Sequence, residues 1–262
     1  VIGDITNLKS VTVSKDVKHI GSNAFLGATS LTEVIFEADS SLNSIESGAF
    51  QGATGLTSVT IPKSVTSIEI NAFLGATSLT TVSFEEVSTL TTIGTSAFQG
   101  ATGLTSITIP TSVTSIGTSA FLGATSLTTV SFEEVSTLTT IGTSAFQGAT
   151  GLTSITIPTR VTTIGASAFE SATGLTQVTF APDISFGGIP KRMFYGATGL
   201  TSIDIPNLVT SIGEEAFQYA SGLISVTIPA RVQTIGAYAF NLATSLTTVS
   251  FEEVSTLKTI GN

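Results

Sequence analysis

Three carboxylate pairs, Glu85-Glu86, Glu133-Glu134 and Glu252-Glu253, are the first residues of this sequence with the makings of chemistry. Adjacent acids can serve acid–base catalysis or ligate Ca²⁺ through oxygen. The first two pairs stand two repeat units apart, about 9.6 Å at the spacing of parallel strands, which is too far for one ion to bridge. No Asp-Gly calcium-loop pattern accompanies them, so they are expected to form solvated corners that deter aggregation. His19 stands alone beside Lys18 without a carboxylate relay, and a surface position is expected for it. The chain has no Cys, which excludes disulfides, thiolate metal sites and cysteine nucleophiles. No phosphate-binding Gly-x-x-x-x-Gly-Lys loop and no Gly-x-Ser-x-Gly elbow occurs. No catalytic residues, metal ligands or cofactors are expected.

Lys191, Arg192 and Tyr195 form a different cluster, in the one unit that breaks the rhythm of the chain, residues 181–195. Arg and Tyr are favoured at binding hot spots, and Tyr219 and Tyr238 follow near the same phase of the next two units. These residues are candidates for a second binding patch on one edge. Neutral divergence of an older unit explains them equally well.

The elements that must position these residues follow from an internal repeat. Phe recurs at Phe25, Phe50, Phe73, Phe98, Phe121, Phe146, Phe169, Phe194, Phe217 and Phe240, at intervals of 23 or 25 residues. Short and long units alternate over most of the chain, so the duplicated length is 48 residues. Residues 72–119 and 120–167 differ only at Ser112/Arg160, Ser115/Thr163 and Thr118/Ala166. Such copies cannot encode a unique catalytic geometry. In one short unit, Ile107 and Ile109 alternate with Ser106 and Thr108, the period of a strand. Pro110 ends that strand because it lacks an amide donor. Val113 and Ile116 form a second short apolar segment, closed at Gly117, where a turn with positive φ is expected. Thr118 or Ser119 is expected to cap a single helical turn holding Ala120 and Phe121. In the long unit, Phe132-Glu133-Glu134 and two extra residues replace the Ile-Pro corner.

Such a unit cannot bury its apolar side alone, so stacking must place Phe over Phe and Leu over Leu. The expected fold is an α/β repeat solenoid, right-handed and spanning residues 1–262 as a single domain. It has about eleven coils of 23 and 25 residues, with a parallel β-sheet on one face and short strands, turns and single helical turns on the others. Eleven strands at parallel spacing give a rod of roughly 50 Å. The ten phenylalanines are expected to be its core. Val1 opens inside repeat-like sequence and Asn262 stops just before the next Ala-Phe, which reads as a segment of a longer protein.

About 80 of the 262 residues are Ser or Thr, and the charge is 9 − 18 = −9. Apolar residues at 41 % and charged residues at only 10 % exclude disorder. The acidic balance argues against nucleic acid as a partner, and no apolar stretch is long enough to span a membrane. Much of the hydroxyl load falls on one sheet face: Ser58, Thr60, Thr81, Ser83, Ser106, Thr108, Thr129, Ser131, Ser154, Thr156, Gln177, Thr179, Ser225 and Thr227. The same residues could simply keep an exposed sheet soluble. An ice-binding lattice is disfavoured by irregular Ser/Thr alternation and by interruptions at Glu33, Ile35 and Asp204.

Residues 104–125 carry the pattern Leu-x-x-Ile-x-Ile-Pro-x-x-Val-x-x-Ile-Gly-x-x-Ala-Phe-x-Gly-Ala-Thr, with looser copies throughout. This pattern resembles the BspA-type leucine-rich repeat. The resemblance implies a non-catalytic adhesion or recognition scaffold on a cell surface. Its partner would be a protein or glycan of a host or neighbouring cell, including extracellular-matrix proteins. It also makes the sheet face the expected binding surface. The family often has Cys where this chain has Ala28, Ala53, Ala76, Ala101, Ala124 and Ala149, a change that removes thiol chemistry but keeps a small buried residue. The competing reading is a structural stalk that projects another module.

Overall fold

The structure is a computed structural model that describes residues 4–262, so Val1 lies outside the described residues. Each coil contributes one strand to each of two ladders. In chain order the strands begin β1 (Ser10–Val13), β2 (His19–Ile20), β3 (Glu33–Phe36), β4 (Ser44–Ile45), β5 (Ser58–Ile61), β6 (Ser67–Ile68), β7 (Thr81–Phe84), β8 (Thr92–Ile93), β9 (Ser106–Ile109), β10 (Ser115–Ile116) and β11 (Thr129–Phe132). They continue as β12 (Thr140–Ile141), β13 (Ser154–Ile157), β14 (Thr163–Ile164), β15 (Gln177–Phe180), β16 (Gly188–Ile189), β17 (Ser202–Ile203), β18 (Ser211–Ile212), β19 (Ser225–Ile228), β20 (Thr234–Ile235), β21 (Thr248–Phe251) and β22 (Thr259–Ile260). Odd-numbered strands build the main sheet and even-numbered strands the second ladder, and every pairing is parallel.

Alternation within each odd strand sets its two faces. Ile107 and Ile109 point into the solenoid while Ser106 and Thr108 remain exposed. Across the core from this sheet runs the phenylalanine spine. Its rings stack in parallel with centroids 5.2 to 5.8 Å apart from Phe25 to Phe240. The rings from Phe50 to Phe217 are fully buried, whereas Phe240, near the last coil, is half-buried. Ala28, Ala53, Ala76, Ala101, Ala124 and Ala149 are also sealed, as small buried residues should be. One apolar cluster runs from Val13 to Ala239.

The expected single helical turns are absent among the described residues; their place is taken by successive β-turns. Around Phe121 the amides alternate between two tasks. Ala120, Leu122 and Ala124 donate three residues back, to Gly117, Ser119 and Phe121. Ser119, Phe121 and Gly123 donate instead to Thr143, Ala145 and Gln147 of the next coil, each at 2.8 Å. A helix would turn all these amides inward and forfeit the bonds that stack one coil on the next.

Gly117 also differs from expectation. It does not adopt positive φ; the left-handed residues of this segment are Ser119 (φ 55) and Gly123 (φ 69). A side chain at Gly117 would collide with the backbone of Gly94, whose carbonyl carbon lies 2.6 Å from the Cβ position. Close approach of coils therefore demands this glycine.

Candidate recognition surface

The main sheet is not evenly zipped. Strand pairs running from a short unit to the following long unit, such as β5/β7 and β9/β11, match over four residues. The next junctions, β3/β5, β7/β9 and β11/β13, match at one residue each. The bulk of Phe84 or Phe132 at the strand end, followed by the longer corner, holds the next coil away there. Each of these rings is half-buried rather than sealed. Both ladders break completely at one place: β15 does not pair with β17, nor β14 with β16.

Every loosened junction opens into a cleft on the sheet face. The clefts measure about 280 Å³ at β3/β5, 250 Å³ at β7/β9, 590 Å³ at β11/β13 and 460 Å³ at β15/β17. Their floors are apolar, with Val82 and Ile107 in the second and Val130 and Ile155 in the third. Their rims carry the hydroxyl candidates. Ser58, Thr60, Thr81, Ser83, Ser106, Thr108, Thr129, Ser154, Thr156, Gln177, Thr179, Ser225 and Thr227 are all exposed, and Ser131 is half-exposed. Thr108 bonds the Ser131 hydroxyl across β9/β11 at 2.9 Å, and Thr227 bonds Ser250 across β19/β21 at 3.0 Å.

Much of the remaining Ser/Thr load works inside the scaffold. Thr80, Thr128 and Thr176 each donate a hydroxyl to a backbone carbonyl of the preceding coil, at 3.0 to 3.1 Å. A second file does the same, Thr91 to the Thr66 carbonyl and Thr114 to the Thr91 carbonyl. Single-unit reading misses this role because each partner lies 22 to 26 residues away.

The glutamate pairs divide their labour. Glu133 accepts hydrogen bonds from the Thr111 amide at 2.8 Å and the Thr111 hydroxyl at 3.1 Å. Glu85 likewise takes the Lys63 amide and Glu252 the Ala230 amide, both at 3.0 Å. The first acid of each pair is thus a clamp on the amide just after Pro110, Pro62 or Pro229, and only Glu86, Glu134 and Glu253 are simply exposed. Ala181 occupies the position of Glu133 one duplication later, since both amides reach an isoleucine carbonyl, Ile157 and Ile109, at 3.0 Å. It offers no carboxylate to Thr159, Arg160 stands where the preceding copy has Ser112, and the third cleft has more than twice the volume of the second.

Arg192 is committed within the molecule. Its guanidinium grips Glu170 at 2.7 and 3.0 Å, bonds Glu215 at 2.6 Å and lies 3.7 Å above the Tyr195 ring. Burial alone would push the Glu170 carboxyl up, but hydrogen bonds from Arg192 and Ser167 and the guanidinium charge hold it below the usual glutamate range. The Glu170 hydrogen bonds in turn raise Arg192. Glu170 belongs to the coil before the ladder break and Arg192 to the coil after it, so this network staples the break along the turn edge. Tyr195 packs edge-on against Tyr219 at 5.2 Å, while Tyr219 and Tyr238 remain exposed. Lys191 pairs with Glu214 at 2.9 Å, with both groups about half in solvent, where such pairs contribute little. His19 is exposed, as expected, and its Nδ1 bonds the Ser44 hydroxyl at 2.8 Å.

Among the described residues, no group of His, Asp and Glu is arranged to hold a metal ion. Among the same residues, no helix is long and apolar enough to cross a membrane.

Stacked short coils with parallel strands and a buried phenylalanine file define a leucine-rich-repeat solenoid. The chain matches the BspA type leucine rich repeat region over residues 4–100, 87–188 and 187–262, in six copies, and belongs to that family. Among solved structures it is similar to a leucine-rich repeat protein of Bacteroides ovatus, at 25 % identity and a TM-score of 0.63, over 98 % of this chain and 84 % of that one. It is also similar to a leucine rich cell surface protein of Faecalibacterium prausnitzii, at 28 % identity and a TM-score of 0.52, over 96 % and 83 % of the two chains. The pneumococcal vaccine antigen PcpA shares the fold at 23 % identity and a TM-score of 0.67, over 96 % of this chain and 67 % of that one. No curated protein matches the chain.

Proposed function

We propose that this chain is a non-catalytic recognition scaffold displayed outside the cell. It attaches to a protein or glycan of a host or neighbouring cell through its main sheet face. The observation that carries this reading is the file of exposed hydroxyls bordering apolar clefts on a preformed face. A rigid face loses little ordering entropy on binding, and repeated patches can engage repeated ligand features. Likeness to a leucine rich cell surface protein supports the location.

The test is solid-phase binding of the chain to arrayed matrix proteins and glycans. It is repeated with the triple variant Thr60→Lys, Thr108→Lys, Thr156→Lys and with Thr118→Lys on the turn edge. Loss of at least tenfold in affinity for the triple variant alone supports recognition by the sheet face. The near identity of residues 72–119 and 120–167 favours a second reading, a stalk, because a spacer needs length rather than distinct side chains. Deleting residues 120–167 leaves attachment unchanged if the chain is a stalk and weakens it if the face binds.

A further inference from the structure

We infer that the ligand of the sheet face is a proline-rich, basic polypeptide in the polyproline II conformation, laid along the solenoid axis with every third residue seated in a cleft. This deepens the recognition reading and rests on it. The argument begins with spacing. The clefts recur at Phe36, Phe84, Phe132 and Phe180, once per 48 residues or two coils. Two coils advance about 10 Å, from the roughly 4.8 Å spacing of paired strands. The stacked rings, 5.2 to 5.5 Å apart over the four coils from Phe73 to Phe169, advance somewhat more per coil than the paired strands of the sheet face.

A chain that fills successive clefts must present equivalent side chains on one side at that interval. An extended β peptide repeats on one side every two residues, roughly 6.8 Å, and misses the clefts. Polyproline II has three residues per turn and rises about 3.1 Å per residue, so residues i and i+3 share a side roughly 9.3 Å apart. An α-helix returns to one side after seven residues, roughly 10.5 Å, so spacing alone admits it.

The rims decide between them. Ser83 and Thr108 at the second cleft, and Thr129 and Thr156 at the third, offer exposed hydroxyls. A polyproline II backbone has no internal hydrogen bonds and presents free carbonyls to such donors, whereas carbonyls within a helix are already taken. Half-buried Phe84, Phe132 and Phe180 supply the aromatic surface on which proline rings pack in known grooves of this kind. Glu33 and Glu85 border the first cleft and Glu133 the second, on a chain of net charge −9, so Lys or Arg in the ligand is matched by charge at these two; the third cleft sets Arg160 beside Glu133 and offers no such net match. The first two clefts suit a proline ring. The third, with more than twice the volume of the second, takes a larger side chain and anchors the register.

The experiment measures binding of the whole chain to labelled (Pro-Pro-Lys)n peptides with n from 2 to 5. Comparison probes are a four-residue-period peptide of equal charge, a heptad-patterned helical peptide and a β-1,4-linked oligosaccharide. Affinity should rise about tenfold or more from n = 2 to n = 4, as further clefts are engaged intramolecularly. The four-residue period should gain no more than its charge confers, and Ser83→Arg with Thr108→Arg should abolish the gain while Thr118→Arg leaves it intact. Equal binding of the helical or four-residue-period peptide overturns the inference. Binding of the oligosaccharide or a matrix protein, sensitive to Ser83→Arg but without polyproline binding, also overturns it and leaves sheet-face recognition standing. No ligand sensitive to the face would overturn both.

Discussion

Residues 72–167 and residues 168–215 are built from the same unit and solve the stacking problem differently. In the first stretch near-identical copies face one another, and both ladders run on without a gap. In the second, Ala181-Pro182 replaces the glutamate pair and Ile189-Pro190 replaces Ile-Gly. Both ladders stop there, and Arg192 ties the flanking coils through Glu170 and Glu215. Repetition makes cohesion inexpensive because each coil is already the complement of its neighbour. Where the sequence diverges, strand pairing is lost in both ladders. The amides of Ser167, Phe169 and Ser171 still bond the carbonyls of Lys191, Met193 and Tyr195 on the turn edge, and side-chain charge reinforces that edge.

The largest effect is expected from breaking the regular stretch at its spine. Phe121→Ala should lower stability by about 3–5 kcal/mol, through lost burial and the cavity left between Phe98 and Phe146. Phe240→Ala, at a half-buried ring, should cost clearly less; calorimetry on both variants checks the order. Next comes the staple. Arg192→Met leaves Glu170 buried without its partner and should cost about 2 kcal/mol, below the 3–5 kcal/mol of a fully buried pair because solvent reaches the guanidinium. It should also raise protease sensitivity between residues 181 and 206 while sparing 104–158.

The same tie sets a pH dependence. Glu170 is held below its ordinary range, so its contribution is complete above the unfolded value of about 4.3 and is lost as pH falls through the lower folded value. Acid should therefore loosen the region around Arg192 before the regular stretch, and Glu170→Gln should remove that difference. Limited proteolysis between pH 3 and pH 6 reads both.

Much of this comparison was already visible in the sequence. The period-2 alternation of Ile107 and Ile109 with Ser106 and Thr108 assigned inner and outer faces, and the recurring phenylalanines marked the spine. What stayed hidden depends on contacts between coils. Ser119 and Phe121 lie in a segment that looks like a helical turn until the donors needed by Thr143 and Ala145 are counted. Gly117 looked like a turn residue, and only the neighbouring Gly94 backbone reveals why a side chain is excluded. Glu133 has its partner 22 residues away, so the pair looked merely solvated. The clefts arise from the volume of Phe84 and Phe132 against the next coil, a quantity that no single unit displays.

The smallest expected effect concerns the corners. Val87, Val135 and Val254 are strongly exposed and left-handed, with φ near 59°, whereas Asp39 and Asp183 hold the same position in other long units. A β-branched residue is strained there and Asp is tolerated, so Val135→Asp should stabilise the chain by about 0.5–1 kcal/mol. A small rise in the thermal midpoint would bring the regular stretch closer to its divergent neighbour in this one respect.

Amide hydrogen exchange, followed peptide by peptide, compares the two regions most directly. Peptides covering residues 202–206, where the strand has lost its partner β15, should exchange at least tenfold faster than peptides covering residues 129–133, whose strand β11 pairs with the preceding β9 over four residues. Equal protection of the two segments would contradict the account, because the ladder would then be closed where it is described as open.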